Sequence, residues 1–269
     1  MSRRVAVVKV GGRLVEDPAA VRALASAVAR AGSHDLVIVH GGGTEISALG
    51  RRLGREPAFH EGQRVTDEET LRLASMILSG DVNKRIVRAL LEAGVAAAGL
   101  SGEDGATIRA SVADARALGR VGRVREVRVG LLEALLAGGF LPVLSPVSLG
   151  DDGAPLNVNA DGAAVAVAVA LSAGRLLFLS DVDAVRDDAG TPLGWLSATA
   201  ASRLIASGAA AAGMVPKLTA AIEAARAGIP DVRVGGLAVL EGAGTRVAAD
   251  PAVEEAGTSV AVDPSLVPA

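Results

Sequence analysis

Of the 27 basic residues in this 269-residue chain only three, Lys9, Lys84 and Lys217, are lysines, which leaves 24 arginines. An ammonium is a compact point charge and a guanidinium a broad planar fork. The two do not interchange where a single charge must fit beside a phosphate oxygen. Lys9 ends a valine-rich run just ahead of Gly11-Gly12, and Lys217 follows Gly213-Met214 at the head of an amphipathic stretch. A second glycine run, Gly41-Gly42-Gly43, closes another apolar segment. Glycine at such places lets the backbone approach an anion and aim N–H groups at it. Asn157, Asn159 and Asp161 alternate at the entrance to a helical stretch, so an extended backbone would present two amides and a carboxylate on one side. Asn159 or Asp161 could equally be the cap of that helix, and Asp161 can do both jobs.

These groups need elements that bring them to one edge. Short valine-rich runs alternate with helical periodicity along the chain, the pattern of parallel βαβ units. Strands are predicted at Val5 to Val10, Leu36 to Val39, Val95 to Leu100, Leu141 to Leu144, Leu176 to Leu179 and Val232 to Val234. Helices are predicted from Asp17-Pro18, where Val21, Leu24, Ala25 and Val28 recur at i, i+3, i+4 and i+7, and over 67–93, 131–137, 162–172, 198–207 and 216–227. The segment 102–128 reads as a hairpin or meander. The fold class expected is α/β, a three-layer αβα sandwich around a mainly parallel open sheet. In such sheets ligands bind at the carboxyl ends of the strands, where Gly11-Gly12, Gly41-Gly42-Gly43 and Ser180-Asp181 all fall. Phe59, Phe140, Phe178 and Trp195 are expected to pack rather than to stack on a ligand. Lys84 is expected to be a structural helix lysine.

Composition narrows the partners. Half the residues are hydrophobic and the net charge is −3, with no run of basic residues to attract nucleic acid or a membrane surface. The absence of cysteine excludes disulfides, thiolate metal sites and a cysteine nucleophile, and the three histidines form no metal-ligand spacing. The apolar N-terminal run is too short for a signal peptide, so a cytoplasmic protein is expected. There is no G-x-x-x-x-G-K-[ST], no G-x-G-x-x-G after the first strand and no G-x-S-x-G.

The ordered strings Lys9-Val10-Gly11-Gly12, His40-Gly41-Gly42-Gly43, Gly62-Gln63-Arg64-Val65-Thr66, Asn157-Val158-Asn159-Ala160-Asp161, Leu179-Ser180-Asp181-Val182 and Gly213-Met214-Val215-Pro216-Lys217 resemble those of the amino acid kinase superfamily. Within it they are most similar to the acetylglutamate kinase branch. The aminoadipate kinases of lysine biosynthesis, whose substrate rides on an acidic carrier protein, come next, and a catalytically silent amino-acid or nucleotide sensor is the reading from another class. The resemblance implies ATP-dependent phosphorylation of the side-chain carboxylate of N-acetyl-L-glutamate, a step of arginine biosynthesis. It implies that Lys9 and Lys217 grip phosphates on the two sides of the transfer, that Asp161 orients both, and that the amides of Gly11, Gly12, Gly42 and Gly43 hold the transferring group and the attacking carboxylate. Arg64 would fork the substrate α-carboxylate, with Asn157 and Asn159 on the same substrate. The nucleotide would lie on Asp181, Val182, Asp183, Ala184 and Val185, and on Ala209, Ala210, Ala211, Gly213 and Met214. Magnesium is expected to arrive on the nucleotide phosphates, with no direct protein ligand.

The same resemblance implies an acyl-substrate and dimerisation lobe over 1–173 and a nucleotide lobe over 174–250, and the scattered prolines and acids over 251–269 read as a flexible tail. Arginine-inhibited relatives carry an additional N-terminal helix, and only eight residues precede Lys9 here. An arginine-insensitive homodimer is therefore expected. Asp183-Ala184 stand where the family commonly has glycine, so a slightly different turn is expected in the nucleotide loop.

Overall fold

The β-branched runs assemble into one eight-stranded sheet in the computed structural model, which describes residues 5–32, 35–210 and 213–250. In chain order the strands are β1 (Ala6–Val10), β2 (Leu36–His40), β3 (Phe59–His60), β4 (Gln63–Arg64), β5 (Ala97–Ser101), β6 (Ile108–Val112), β7 (Val121–Val127), β8 (Leu141–Ser145), β9 (Val147–Gly150), β10 (Pro155–Val158), β11 (Arg175–Leu179), β12 (Trp195–Ser197), β13 (Asp231–Gly235) and β14 (Thr245–Ala248). The helices are α1 (Arg13–Glu16), α2 (Pro18–Ala31), α3 (Gly43–Arg52), α4 (Glu68–Ser75), α5 (Asn83–Glu92), α6 (Gly130–Ala137), α7 (Ala160–Ala170), α8 (Ala198–Ala206) and α9 (Val215–Arg226). The main sheet has the order β12-β14-β13-β11-β1-β2-β8-β5, and every neighbouring pair is parallel except β13 with β14.

The period of two along each strand divides the core into two layers. Val7, Val37, Val39, Leu176 and Phe178 face α6 to α9, while Val8, Val10, Ile38, Leu177 and Leu179 face α2 and α5. That is the three-layer sandwich. The capping expected for α2 is present, since the Asp17 side chain accepts from the Ala19 N–H ahead of Pro18, an arrangement worth about 1 kcal/mol. The hairpin expected over 102–128 is the antiparallel pair β6–β7, which closes with β9 and β10 into a small four-stranded barrel.

Three local expectations differ from what is observed. The helix over 67–93 contains a π-helical stretch at Met76–Val82 between α4 and α5. Helix α3 and strands β12 and β14 were not marked by periodicity, because α3 mixes glycine, serine and arginine and the two strands are only three and four residues long. Of the four aromatic residues only Phe178 is a core residue; Phe59, Phe140 and Trp195 are exposed. Lys84 behaves as a structural lysine, donating to the carbonyl of Gly99 and the amide oxygen of Asn83 and so tying α5 to β5.

Candidate active site

Lys9 shares the parity of Val7 on β1 and therefore points into the layer of α7, where only 6% of it is exposed. An ammonium placed there needs a counter-charge. Asp161 supplies it from the first turn of α7, with Oδ1 2.9 Å from Lys9 Nζ. Asn159 is the cap of that helix: its side-chain oxygen accepts from the N–H groups of Asp161 and Gly162. The cap fixes the helix start, and the start fixes the carboxylate.

The Lys9 side chain folds back over the turn that follows its strand. A Cβ at Gly11 would stand 2.9 Å from Lys9 Nζ, so glycine is what lets the ammonium lie on this turn. Gly42 caps α3 with its backbone pressed against the π-helical stretch, where a Cβ would stand 2.9 Å from Leu78 Cδ2 and 3.1 Å from Val82 Cγ2. Two glycine turns from neighbouring parallel strands thus meet at one edge, joined where the Gly41 N–H donates to the Val10 carbonyl.

They form the floor of a cavity of about 240 Å³ that holds Lys9, Gly11, Gly12, Gly42, Gly43, Arg64, Asn157, Asn159 and Asp161 together. Arg64 is half-buried in the same cavity. Its Nη2 donates to the Gly43 carbonyl and to Ser47 Oγ, both at 2.7 Å, and its guanidinium lies 4.9 Å from the centre of the Phe59 ring. None of these partners is an anion. Burial, then the nearby Arg51, lowers the Arg64 pKa, so a carboxylate entering the cavity meets a cation with unspent attraction. Asn157 donates to Thr66 Oγ1, and Thr66 in turn donates to the Arg64 carbonyl, which couples the two residues through the backbone of β4.

Lys217 stands near the start of α9 and donates to the Gly213 carbonyl at 3.1 Å. Burial lowers its pKa first and the neighbouring Lys9 ammonium lowers it further, while Asp161 and Asp181 oppose both. These couplings put both lysines and both carboxylates in one electrostatic neighbourhood. A second cavity of about 350 Å³ shares Gly62, Gln63, Asn159 and Asp161 with the first and runs along α9 past Pro216 and Thr219. The remaining expected residues lie outside the first cavity. Asp181, Val182 and Asp183 are exposed after β11, whereas Val185 is buried in the core and its N–H is taken by Thr245 Oγ1. Ala209 and Ala210 follow α8, Met214 is buried, and Ala211 lies outside the described residues.

Residues 4–236 match the amino acid kinase family. The chain belongs to that family. An acetylglutamate kinase of Rubrobacter xylanophilus is 50% identical over 228 residues, 84% of this chain and 87% of that protein. An acetylglutamate kinase of Chloroflexus aurantiacus is 44% identical over 245 residues, 90% of this chain and 96% of that protein. Among solved structures, one from Streptococcus mutans superposes with a TM-score of 0.80 at 29% identity, covering 92% of this chain and 99% of that one.

In this amino acid kinase the cavity also draws on residues that spacing alone did not single out. Ser47 orients Arg64 from α3, and Phe59 and Gln63 reach the cavity from the β3–β4 hairpin. His40 is fully buried beneath the glycine turn, and burial lowers its pKa to about 4. It is neutral at pH 7. Its Nδ1–H donates to the Gly41 carbonyl at 2.9 Å, leaving Nε2 to accept from Asn83 at 3.2 Å. Asn83 also donates to the carbonyls of Leu100 and Val143, so the histidine fastens the kinase's second glycine turn to three core elements. A histidine closing an apolar strand directly before glycines was the available sequence signal for this.

Proposed function

We infer that this amino acid kinase transfers the γ-phosphoryl group of ATP to the side-chain carboxylate of N-acetyl-L-glutamate, giving N-acetyl-L-glutamyl 5-phosphate and ADP in arginine biosynthesis. The observation that carries this reading is the presence, in one cavity, of a half-buried Arg64 without an anionic partner and of the Lys9–Asp161 pair, with Lys217 nearby. An acceptor with two carboxylates fits that arrangement: Arg64 with Asn157 holds one, and the other points at the lysines.

A carboxylate is already ionised at pH 7, so attack requires no general base. Its oxygen forms a bond to the γ-phosphorus while the bond from that phosphorus to the β–γ bridging oxygen breaks, and ADP leaves. What the residues supply is charge control and position. Lys9 meets the transferring group from the acceptor side and Lys217 meets the nucleotide phosphates from the other, with Asp161 keeping the ammonium groups in place. The N–H groups of Gly11, Gly12, Gly42 and Gly43 surround the transferring oxygens, and Asn159 holds the start of α7 in register. The nucleotide lies along the second cavity toward the loop Asp181, Val182, Asp183, Ala184 and Val185 and toward Ala209, Ala210, Gly213 and Met214. Where side chains there are buried, as for Val185 and Met214, their contribution is to the shape of the loop. Magnesium would be carried on the nucleotide phosphates and neutralise their charge when bound, while Asp161, paired with Lys9, orients the ammonium rather than the metal.

On this reading residues 1–173 bind the acyl substrate and residues 174–250 the nucleotide, while 251–269 lie outside the described residues. A cytoplasmic homodimer is the form inferred. Met76 and Leu91, both exposed, support an interface on the helical rod that contains α4 and α5, and no described helix is long and apolar enough to cross a membrane. A carrier-linked aminoadipate acceptor is less well served. Of the seven arginines that could receive an acidic carrier, Arg51, Arg52, Arg55, Arg120, Arg123, Arg125 and Arg128, five already pair, Arg51 with Glu56, Arg55 with Asp67, Arg120 with Asp152, Arg125 with Asp151 and Arg128 with Glu126. A coupled ADP-release assay with N-acetylglutamate, glutamate and carrier-bound aminoadipate tests the reading. Turnover with N-acetylglutamate well above the other two is expected, and preference for the carrier-bound acceptor would overturn it.

A further inference from the structure

The two glycine turns are also joined by a side chain that no spacing argument singles out. Arg85, on α5, donates through Nη1 to the carbonyl of Val15 at 2.8 Å and of Glu16 at 3.4 Å, the end of the short helix α1 that begins directly after Gly12. Through Nη2 it donates to Asp81 Oδ2 at 2.9 Å and stands 3.5 Å from Glu45 Oε1. Glu45 is in the first turn of α3, directly after the other glycine turn. A Cβ placed on Gly42 would lie 3.6 Å from Glu45 Oε2, so this carboxylate sits against the turn itself.

Glu45 and Arg85 are 15% and 21% exposed, and among the described residues no other residue donates a hydrogen bond to either Glu45 oxygen. A carboxylate in that place is an awkward neighbour for phosphoryl transfer. It is largely withdrawn from water, beside a turn that must attract negative charge, and burial raises its pKa against the opposing pull first of its own backbone N–H and then of Arg85. Arg85 is its cationic neighbour. The same guanidinium fixes the end of α1, so one planar group sets the spacing between the Gly12 and Gly42 turns.

We propose that Arg85 is a positioning residue for phosphoryl transfer, holding the Gly12 and Gly42 turns in register and neutralising Glu45 beside them. The proposal rests on the reading above that these turns hold the transferring group. It makes no use of contact between Arg85 and either substrate, and that separates it from Lys9, Lys217 and Arg64.

The test is steady-state kinetics on four proteins: wild type, Arg85→Met, Glu45→Gln and the double variant, with Arg85→Lys as the conservative control. Misplacing a catalytic turn by about 1 Å costs up to about a hundredfold, so Arg85→Met should lower kcat between about tenfold and about a hundredfold while both KM values stay within about threefold. Adding Glu45→Gln to Arg85→Met should recover at least about threefold of the lost kcat, because the stranded carboxylate is gone; a merely structural arginine, 3.5 Å from Glu45, couples with it in Tm while its losses in kcat add. Arg85→Lys should restore part of kcat, since an ammonium can still neutralise Glu45. If Arg85→Met does not fold, Arg85→Gln, which also removes the charge, decides by the same coupling in kcat, measured alone and combined with Glu45→Gln. An active wild type whose Arg85 variants keep kcat within about twofold, or lose it additively with Glu45→Gln, overturns the Arg85 assignment alone. A wild type inert toward N-acetylglutamate overturns the proposed function, and this assignment with it.

Discussion

Replacing Asp161 by asparagine removes one charge and almost no volume from the centre of the lysine pair. The Lys9 and Asp161 side chains are 7% and 12% exposed and lie 2.9 Å apart, so the substitution strands an ammonium in the core. Breaking a buried pair from one side costs about 3–5 kcal/mol, and because asparagine still fits the space the low end, about 3 kcal/mol, is expected. In a protein of this size each kcal/mol moves Tm by about 2–4 °C, which gives a fall of about 6–12 °C. ATP phosphates bring back the missing negative charge. Saturating ATP should therefore raise the Tm of D161N by more than it raises that of the wild type. Turnover should fall about 10²–10³-fold, the usual cost of losing one preorganised electrostatic contact to a transition state. Differential scanning fluorimetry with and without ATP, followed by the ADP-release assay, reads both effects. A D161N protein that melts within about 2 °C of wild type and keeps turnover within a few-fold would show that the pair governs neither stability nor transfer.

Lys217→Arg keeps the charge but replaces a point with a fork, and should lower turnover about 10²–10³-fold while the KM for ATP changes much less; near-normal turnover would remove Lys217 from the mechanism. Arg64→Lys gives up bidentate geometry toward a carboxylate, an interaction worth about 1.5–3 kcal/mol, so the KM for N-acetylglutamate should rise about 10- to 100-fold with a smaller change in kcat. Burial and Lys9 hold the Lys217 pKa below its ordinary value in the free protein, and bound phosphates favour the ammonium and raise it again. Nucleotide binding should then take up protons at alkaline pH, between the free and bound pKa values. Calorimetry in buffers of different ionisation enthalpy would detect this, and persistence of the uptake in Lys217→Arg would assign it elsewhere.

Much of the candidate site was legible along the chain because its chemistry is written in residue types that have few substitutes. A lysine among arginines, glycines directly after strands, and amides alternating with a carboxylate each restrict the backbone or the ligand strongly enough to be read locally. The parallel sheet was legible for a similar reason, since Ala6–Val10 and Leu36–His40 are apolar but for Lys9 and His40 and buried throughout, as a strand covered on both faces requires. Short or compositionally mixed elements were not. Helix α3 carries Glu45 and Ser47 but begins and is interrupted by glycine, and the π-helical stretch at Met76–Val82 looks like ordinary helix until Leu78 is seen against Gly42.

By itself the sequence determined the family, the sheet that sets Lys9 on its edge, and the types of charge gathered at the candidate site, because strand parity and the rigidity of glycine turns are local properties. Only the tertiary structure decided which of those charges are neutralised by one another. Whether Asp161 meets Lys9, whether Arg64 is left with uncharged partners and whether Glu45 falls within reach of Arg85 depend on contacts between segments tens of residues apart. Such contacts are fixed by packing and by the energetic cost of burying a lone charge, and neither is visible along a single strand or helix.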